Sequence, residues 1–245
     1  LFGGVSQGFR APNLSDLTRF DIARSGELEV PSPGLTPERF TSFEVGVKTG
    51  HEHVSAHAAF FYTRITDMID RLAADNPATS GVTEVIKANV GHGYVRGVEL
   101  VGQVKLHPQW TAWGNLTSMK GEVDTLVSSA PSVLGRRPMS RIMPLTANAG
   151  LRWESATKNV WSGIDATFAA KQDKLSPGDI ADTQRIPPGG TPGYSVFHVR
   201  ANWRVSTNFT VSATLENIAN KDYRIHGSGL NEPGRNLVVA GVVWF

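Results

Sequence analysis

The chain has 245 residues, 40% of them hydrophobic and 19% charged, with a formal net charge of +2. That charge is too mild and too scattered to argue for a nucleic-acid partner, and with no cysteine the chain has neither a disulfide framework nor a thiolate metal site. No window approaches the roughly 18 or more apolar residues of a membrane helix, while 25 glycines and 14 prolines fit turns and bulges better than helices.

The first predicted strand is Leu1 to Arg10. Pro12 ends it, because proline lacks an N–H and restricts Ala11 before it; Pro37 opens the next strand in the same way. From Thr41 to Thr49, Phe43, Val45 and Val47 oppose Ser42, Glu44, Gly46 and Lys48. A short turn at Gly50 to His53 leads into Val54 to Ile65. After a long polar connection come Val85 to Leu106, a turn at His107 to Gln109, and Trp110 to Lys120. Leu145 to Glu154 sets Leu145, Ala147, Ala149, Leu151 and Trp153 against Thr146, Asn148, Gly150, Arg152 and Glu154. The turn Ser155 to Lys158 precedes Val160 to Lys171. Ser195 to Val205 opposes Phe197, Val199, Ala201 and Trp203 to His198, Arg200, Asn202 and Arg204. Ser206 to Thr207 turns it into Asn208 to Asn217, and Asn236 to Phe245 is last, with apolar residues at alternate positions and an aromatic end. Such period-two alternation means one wet face and one apolar face.

The connections alternate between short turns and long polar loops from one end to the other. A transmembrane β-barrel has that asymmetry, with tight turns on the periplasmic rim and long loops outside. Ten residues at about 3.3 Å each, tilted near 45°, span on the order of 23 Å, close to the apolar band of such barrels. Glu44, Lys48, Glu99, Lys105, Arg152, Arg200 and Arg204 occupy the polar face. Pointed at lipid, each midplane Arg or Lys would cost roughly 2–4 kcal/mol, so these residues must face a lumen. Tyr62, Tyr94, Trp110, Trp153, Trp161, Tyr194, Trp203 and Trp244 sit where strands meet loops or turns, as an interfacial belt requires. An open sheet edge in lipid is too costly to leave bare, so the strands either close on themselves or join others. The expected fold is therefore an all-β, antiparallel transmembrane barrel of about ten strands. The chain begins at Leu1 within a strand, and we read it as the C-terminal piece of a longer, exported precursor.

Val5 to Leu14 (Val-Ser-Gln-Gly-Phe-Arg-Ala-Pro-Asn-Leu) closely resembles a segment of TonB-dependent outer-membrane receptors. Leu35 to Lys48, Ala88 to Glu99, Thr191 to Tyr194, Glu216 to Arg224 and Pro233 to Asn236 follow with the family's order and spacing, and a final Phe completes the set. The resemblance implies a 22-stranded barrel filled by an N-terminal plug, of which residues 1–245 would form the last ten or so strands. It implies active import of a scarce nutrient, driven by TonB through the absent plug, with outer-membrane lipid and a small-molecule metal chelate as partners. No enzymatic activity and no cofactor are expected. For Glu44, Glu99 and Arg235 the resemblance implies lumen or plug contacts; Arg200 joins them as a lumen candidate from its place on the polar face. Gly97 beside Glu99 marks a position where a plug could come close, and Asn217 and Asn220 resemble turn formers at a strand exit.

A ferric siderophore or similar chelate is the expected cargo, with cobalamin, haem or carbohydrate as alternatives on the same fold. Haem receptors place a histidine between the Phe-Arg-Ala-Pro box and an Asn-Pro-Asn-Leu box. Here Ser32 to Leu35 reads Ser-Pro-Gly-Leu, and residues from Asn13 to Pro31 include no histidine. The loop residues Arg24, Arg136, Arg137 and Arg235 are placed to attract an anionic complex, and His226 is a loop histidine in reach of a ligand. His51, His53 and His57 read as fortuitous clustering rather than a metal site. Two other classes stay open: a self-closed barrel protease using Asp21, Asp124, Asp179 and His226, and a soluble lectin-like sandwich.

Overall fold

Alternating side chains force an extended backbone, and the chain follows them into strands. The computed structural model describes residues 1–22, 27–74, 84–129 and 132–245. Its strands are β1 (Phe2–Arg10), β2 (Asp21–Ile22), β3 (Leu28–Glu29), β4 (Glu38–Gly50), β5 (Val54–Ala73), β6 (Glu84–His107) and β7 (Trp110–Ser129). There follow β8 (Ser132–Pro138), β9 (Thr146–Glu154), β10 (Val160–Ala169), β11 (Tyr194–Arg204), β12 (Phe209–Glu216) and β13 (Asn236–Val243). Two single-turn helices, α1 (Leu14–Thr18) and α2 (Pro177–Ala181), lie in long connections. All ten strands expected from the alternation are present, joined in the order β1-β4-β5-β6-β7-β9-β10-β11-β12-β13. Every neighbouring pair along that path is antiparallel.

Register decides which side chains share a face. One row runs Val47, Ala58, Leu100, Leu116, Ala147 and Phe168 across six strands. The row one residue over runs Lys48, His57, Val101, Asn115, Asn148 and Thr167. Along that second row Asn148 Nδ2 donates to Asn115 Oδ1 at 3.0 Å, and Thr167 Oγ1 donates to Asn148 Oδ1 at 2.8 Å. A slip of one residue on any strand would exchange the two sets, so register and solvent are locked together.

Among the described residues nothing is packed on the apolar face: Phe197, Val199 and Trp203 are 40%, 40% and 52% exposed. The most buried apolar side chains among the described residues include Ile65, Val85, Val123, Ile186 and Val196. They lie toward the long-loop end or within the loops, so among the described residues no second layer covers the sheet. A monomer in water rarely leaves more than a few hundred Å² of contiguous apolar surface bare, and this face crosses ten strands. Hydrocarbon is the solvent that fits it.

Two expectations change. Trp161 pairs with Glu154 and Asn202 on the polar face, where Arg152 Cζ lies 4.5 Å from its ring centroid. Tyr194 faces the same way and meets Tyr223 at 4.5 Å between centroids. Strand parity, which proximity to a loop does not reveal, takes both out of the belt; Tyr62, Tyr94, Trp110, Trp153 and Trp203 remain on the apolar face, and Trp244 lies just past the end of β13, its amide bonded to the Asn208 carbonyl. At Gly97 the room expected for a plug is filled from within the sheet, because an added Cβ would come 2.6 Å from the Phe61 ring on β5. Asn217 and Asn220 turn the chain out of β12 with φ of +47° and +51°, as expected of asparagine.

Candidate functional site at the loop rim

The short turns collect at one rim and the long connections at the other, where two polar clusters form. The first begins with Asn13, whose side chain caps α1 while Asp16 returns the bond to the Asn13 amide at 3.0 Å. That capping box aims Asp16 at two cations, Arg10 at 2.9 Å and Lys87 at 3.1 Å. Arg10 also grips Glu38 with two nitrogens, at 2.5 and 2.9 Å, and Glu38 accepts from the Ile69 amide. Lys87 Nζ reaches Glu29 at 2.9 Å. Glu29 is 3% exposed and held in place because β3 pairs in parallel with the end of β6. Burial pushes the Asp16 carboxyl up; the Asn13 amide, Lys87 and Arg10 outweigh it, and the pKa settles below the ordinary value. A cavity of ≈ 450 Å³ lined by Asp16, Arg19, Glu29, Asp70, Arg71 and Lys87, with Ile69, opens here.

The second cluster is built around Arg141 and α2. Ser176 and Asp179 form the capping box of α2, with Pro177 at its first position. Asp179, 2% exposed, accepts from Ser140 Oγ at 2.7 Å and the Arg141 amide at 3.3 Å. Arg141 pairs with Asp179 and Asp182 and donates to the carbonyl of Gly227 at 3.3 Å, tying three connections together. Burial raises the Asp179 pKa, but Ser140, Ser176 and the Arg141 amide lower it further, to a net decrease. Gln172 and Thr191 form an antiparallel bridge beside this cluster, closed by Gly190 at φ +100°. A Cβ there would sit 2.1 Å from the Gln172 carbonyl oxygen, which leaves room for glycine only.

The residues singled out from sequence separate in space. Arg136 lies on the apolar side of β8, paired with Asp124 at 3.1 Å and donating to the His92 carbonyl. Arg137 shares register with Val123 on the opposite face and is exposed. His226 is 8% exposed and shares a 2.9 Å hydrogen bond with Thr191 Oγ1. Burial lowers its pKa, Asp179 opposes that and Arg141 adds to it, so the ring is neutral at neutral pH. Arg235 donates through Nε to the Ile218 carbonyl and through its amide to Asn220, locking the last loop onto β12. Arg24 lies outside the described residues. Glu44, Glu99 and Arg200 fall on the polar face, Arg200 paired with Asp165 at 3.1 Å. The four residues of the protease reading do not assemble: Asp21 lies near Arg19, Asp124 is held by Arg136, and Asp179 bonds to serines and Arg141 rather than His226. His57 stacks on Phe2 at 5.3 Å between ring centroids. Sequence reasoning passed over Asp16, Glu29, Glu38, Lys87, Arg141 and Asp182 as site residues. The two capping boxes were a readable signal for the helices that aim some of them.

Comparison with known proteins matches this geometry. The family model described as TonB dependent receptor-like, beta-barrel covers residues 1–218. The iron-regulated outer membrane virulence protein of Vibrio cholerae serotype O1 is 22% identical over 244 residues, which is 95% of this chain and 35% of that protein. Among solved structures, the copper transporter OprC superposes with a TM-score of 0.74 at 21% identity, over 99% of this chain and 36% of that one. A ferric enterobactin receptor (PfeA) mutant from Pseudomonas aeruginosa does so with a TM-score of 0.71 at 18% identity, over 98% and 37%. The chain thus spans little more than a third of the length of these proteins. With an apolar outside, a polar inside and a structured loop rim, the chain belongs to the TonB-dependent receptor-like β-barrel family of the outer membrane.

Proposed function

We propose that residues 1–245 form the C-terminal part of the barrel of a TonB-driven receptor that imports a ferric siderophore or a similar metal chelate. The observation that carries this reading is the pairing of a lipid-suited outer face with a loop rim ordered by buried ion pairs around a charged cavity. Both outer strands support the partial barrel: β1 and β13 each pair on one side only among the described residues, and both are exposed along their length. About half the backbone groups of each edge strand are left pointing outward. At several kcal/mol per group in hydrocarbon, each bare edge would cost on the order of tens of kcal/mol. Further strands of the same barrel would remove that cost, and a plug in its lumen would supply the TonB contact.

Metal-chelate cargo is favoured by the relatives, which include an iron-regulated protein, the siderophore receptor PirA and PfeA with enterobactin. A hemophore receptor, HasR with haem, shares the fold. In this chain, however, His226 is buried and bonded to Thr191, which leaves it poorly placed to ligate haem iron. The test is growth of a strain deleted for the intact receptor under iron limitation. Ferric siderophores of the catecholate and hydroxamate classes are supplied singly, beside haem, copper and cobalamin. Restoration of growth or uptake by one ferric chelate, dependent on TonB, is expected. Rescue with haem or cobalamin alone would overturn the cargo, and rescue without TonB would overturn the mechanism.

A further inference from the structure

The apolar face changes character just below the loop rim. In the row above Phe60, Val98 and Ser118, the register places Tyr62, Arg96 and Lys120 side by side on three neighbouring strands. Arg96 and Lys120 are direct cross-strand partners, and like charges so placed repel each other. Lys120 is eased by Glu122 at 2.7 Å. Among the described residues no carboxylate lies within ion-pair distance of Arg96, whose guanidinium instead sits 5.4 Å from the centroid of the Tyr94 ring. Parity excludes these cations from the lumen, so a solute crossing the barrel does not meet them.

Beside them the wall opens. The ladder between β7 and β8 ends at Glu122 and Pro138, with one further bond from the Met139 amide to the Gly121 carbonyl at 2.9 Å. β9 pairs with β7 only as far as Thr117, so among the described residues Ser118 to Lys120 have no ladder partner on that side. The gap is a cavity of ≈ 650 Å³ whose lining includes Arg96, Lys120, Lys171 and Lys174. Phe60, Val98 and Leu145 line its apolar part, continuous with the bare apolar face below. Lys171 is paired with Asp173 at 3.3 Å, and Lys174 has no carboxylate within ion-pair distance among the described residues. Four cations against two carboxylates leave a net positive cavity at the height where the aromatic girdle marks the membrane interface.

We propose that this groove binds the phosphorylated headgroup of an outer-leaflet lipid, with its acyl chains lying on the apolar face below Phe60 and Val98. The two chemistries of the groove fit the two halves of such a lipid. An anion between Arg96 and Lys120 would also turn their repulsion into a shared attraction. The site is independent of which solute the barrel carries.

The test uses the intact receptor, purified in a mild detergent, with lipid retention read by native mass spectrometry. The probes are bisphosphorylated lipid A, the same lipid with both phosphates removed, and inorganic phosphate as competitor. Retention of the bisphosphorylated form at least about tenfold above the dephosphorylated one is expected, with an Arg96→Gln/Lys174→Gln variant losing most of that preference. Lys48→Gln/Arg204→Gln removes the same charge from the lumen face and is expected to leave it intact. Glu122→Gln is expected to raise retention, which keeps the idea testable if the double variant folds poorly. Equal retention of both lipids, or of bisphosphorylated lipid by both double variants, overturns the proposal. Displacement of the lipid by millimolar phosphate shows a free-anion site and overturns it equally.

Discussion

Val199→Arg is expected to destabilise the folded barrel by about 2–4 kcal/mol, the cost of a guanidinium near the middle of the bilayer. Val199 lies mid-strand on β11, between Ile164 and Leu215 in register, with no polar side chain in that row to receive a charge. The chain supplies its own contrast one residue away. Arg200 is a native guanidinium on the polar face, paired with Asp165. His198→Arg, on the same face as Arg200, should therefore be tolerated. The comparison is read in the intact protein as the fraction recovered from outer membranes that resists detergent unfolding until heated. A heat-resistant fraction that falls for Val199→Arg and holds for His198→Arg is the expected pair of results. Equal losses would mean that both faces meet the same solvent.

Asp179→Ala should release the second loop cluster. The carboxylate is buried and receives bonds from the Ser140 hydroxyl and the Ser176 and Arg141 amides as well as the Arg141 ion pair. Breaking a buried pair costs about 3–5 kcal/mol. Because the Arg141 side chain is 38% exposed, water takes up part of the loss, and about 2–3 kcal/mol is the expected local effect. Protease cleavage of the connections 171–193 and 217–235 in whole cells should rise sharply for the variant, while the membrane strands stay protected. Asp179→Asn keeps one acceptor and should lie between. The pH sign follows from a carboxyl whose folded pKa lies below the ordinary aspartate value of 3.8. Its contribution is full above that value and is lost as pH falls through the folded pKa. The lowered pKa of His226 acts earlier, from 6.5 downward, because protonating a buried ring disfavours the packed cap. Wild-type loops should therefore open in two stages on acidification, and Asp179→Ala should lack the lower one.

The strands were legible because two solvents write a period of two into the chain. Where only one solvent acts, the signal fades. β5 runs on from Ile65 to Ala73 and β7 from Lys120 to Ser129, past the ends read from sequence. Beyond the bilayer both faces are wet, and stretches such as Met68-Ile69-Asp70-Arg71 no longer alternate. The small strands β2, β3 and β8 were missed for the same reason. The ion pairs of the rim were not legible at all. Arg10 meets Glu38 across 28 positions and Lys87 meets Asp16 across 71, and only the folded register brings them together. Among the candidates, Arg136 and Arg137 illustrate the limit: adjacent in sequence, they leave β8 on opposite faces.

Alternate residues of one strand live in hydrocarbon and in a polar interior. Because residues 1–245 contain no cysteine, this can be read by placing single fluorophore-labelled cysteines at each position from 196 to 203 in the intact protein, with any cysteine outside these residues first replaced by serine. With nitroxide quenchers carried on the lipid chains, positions 197, 199, 201 and 203 should be quenched and 196, 198, 200 and 202 spared. Quenching in the opposite phase, or without alternation, would mean that the two faces of β11 do not meet different solvents in this way.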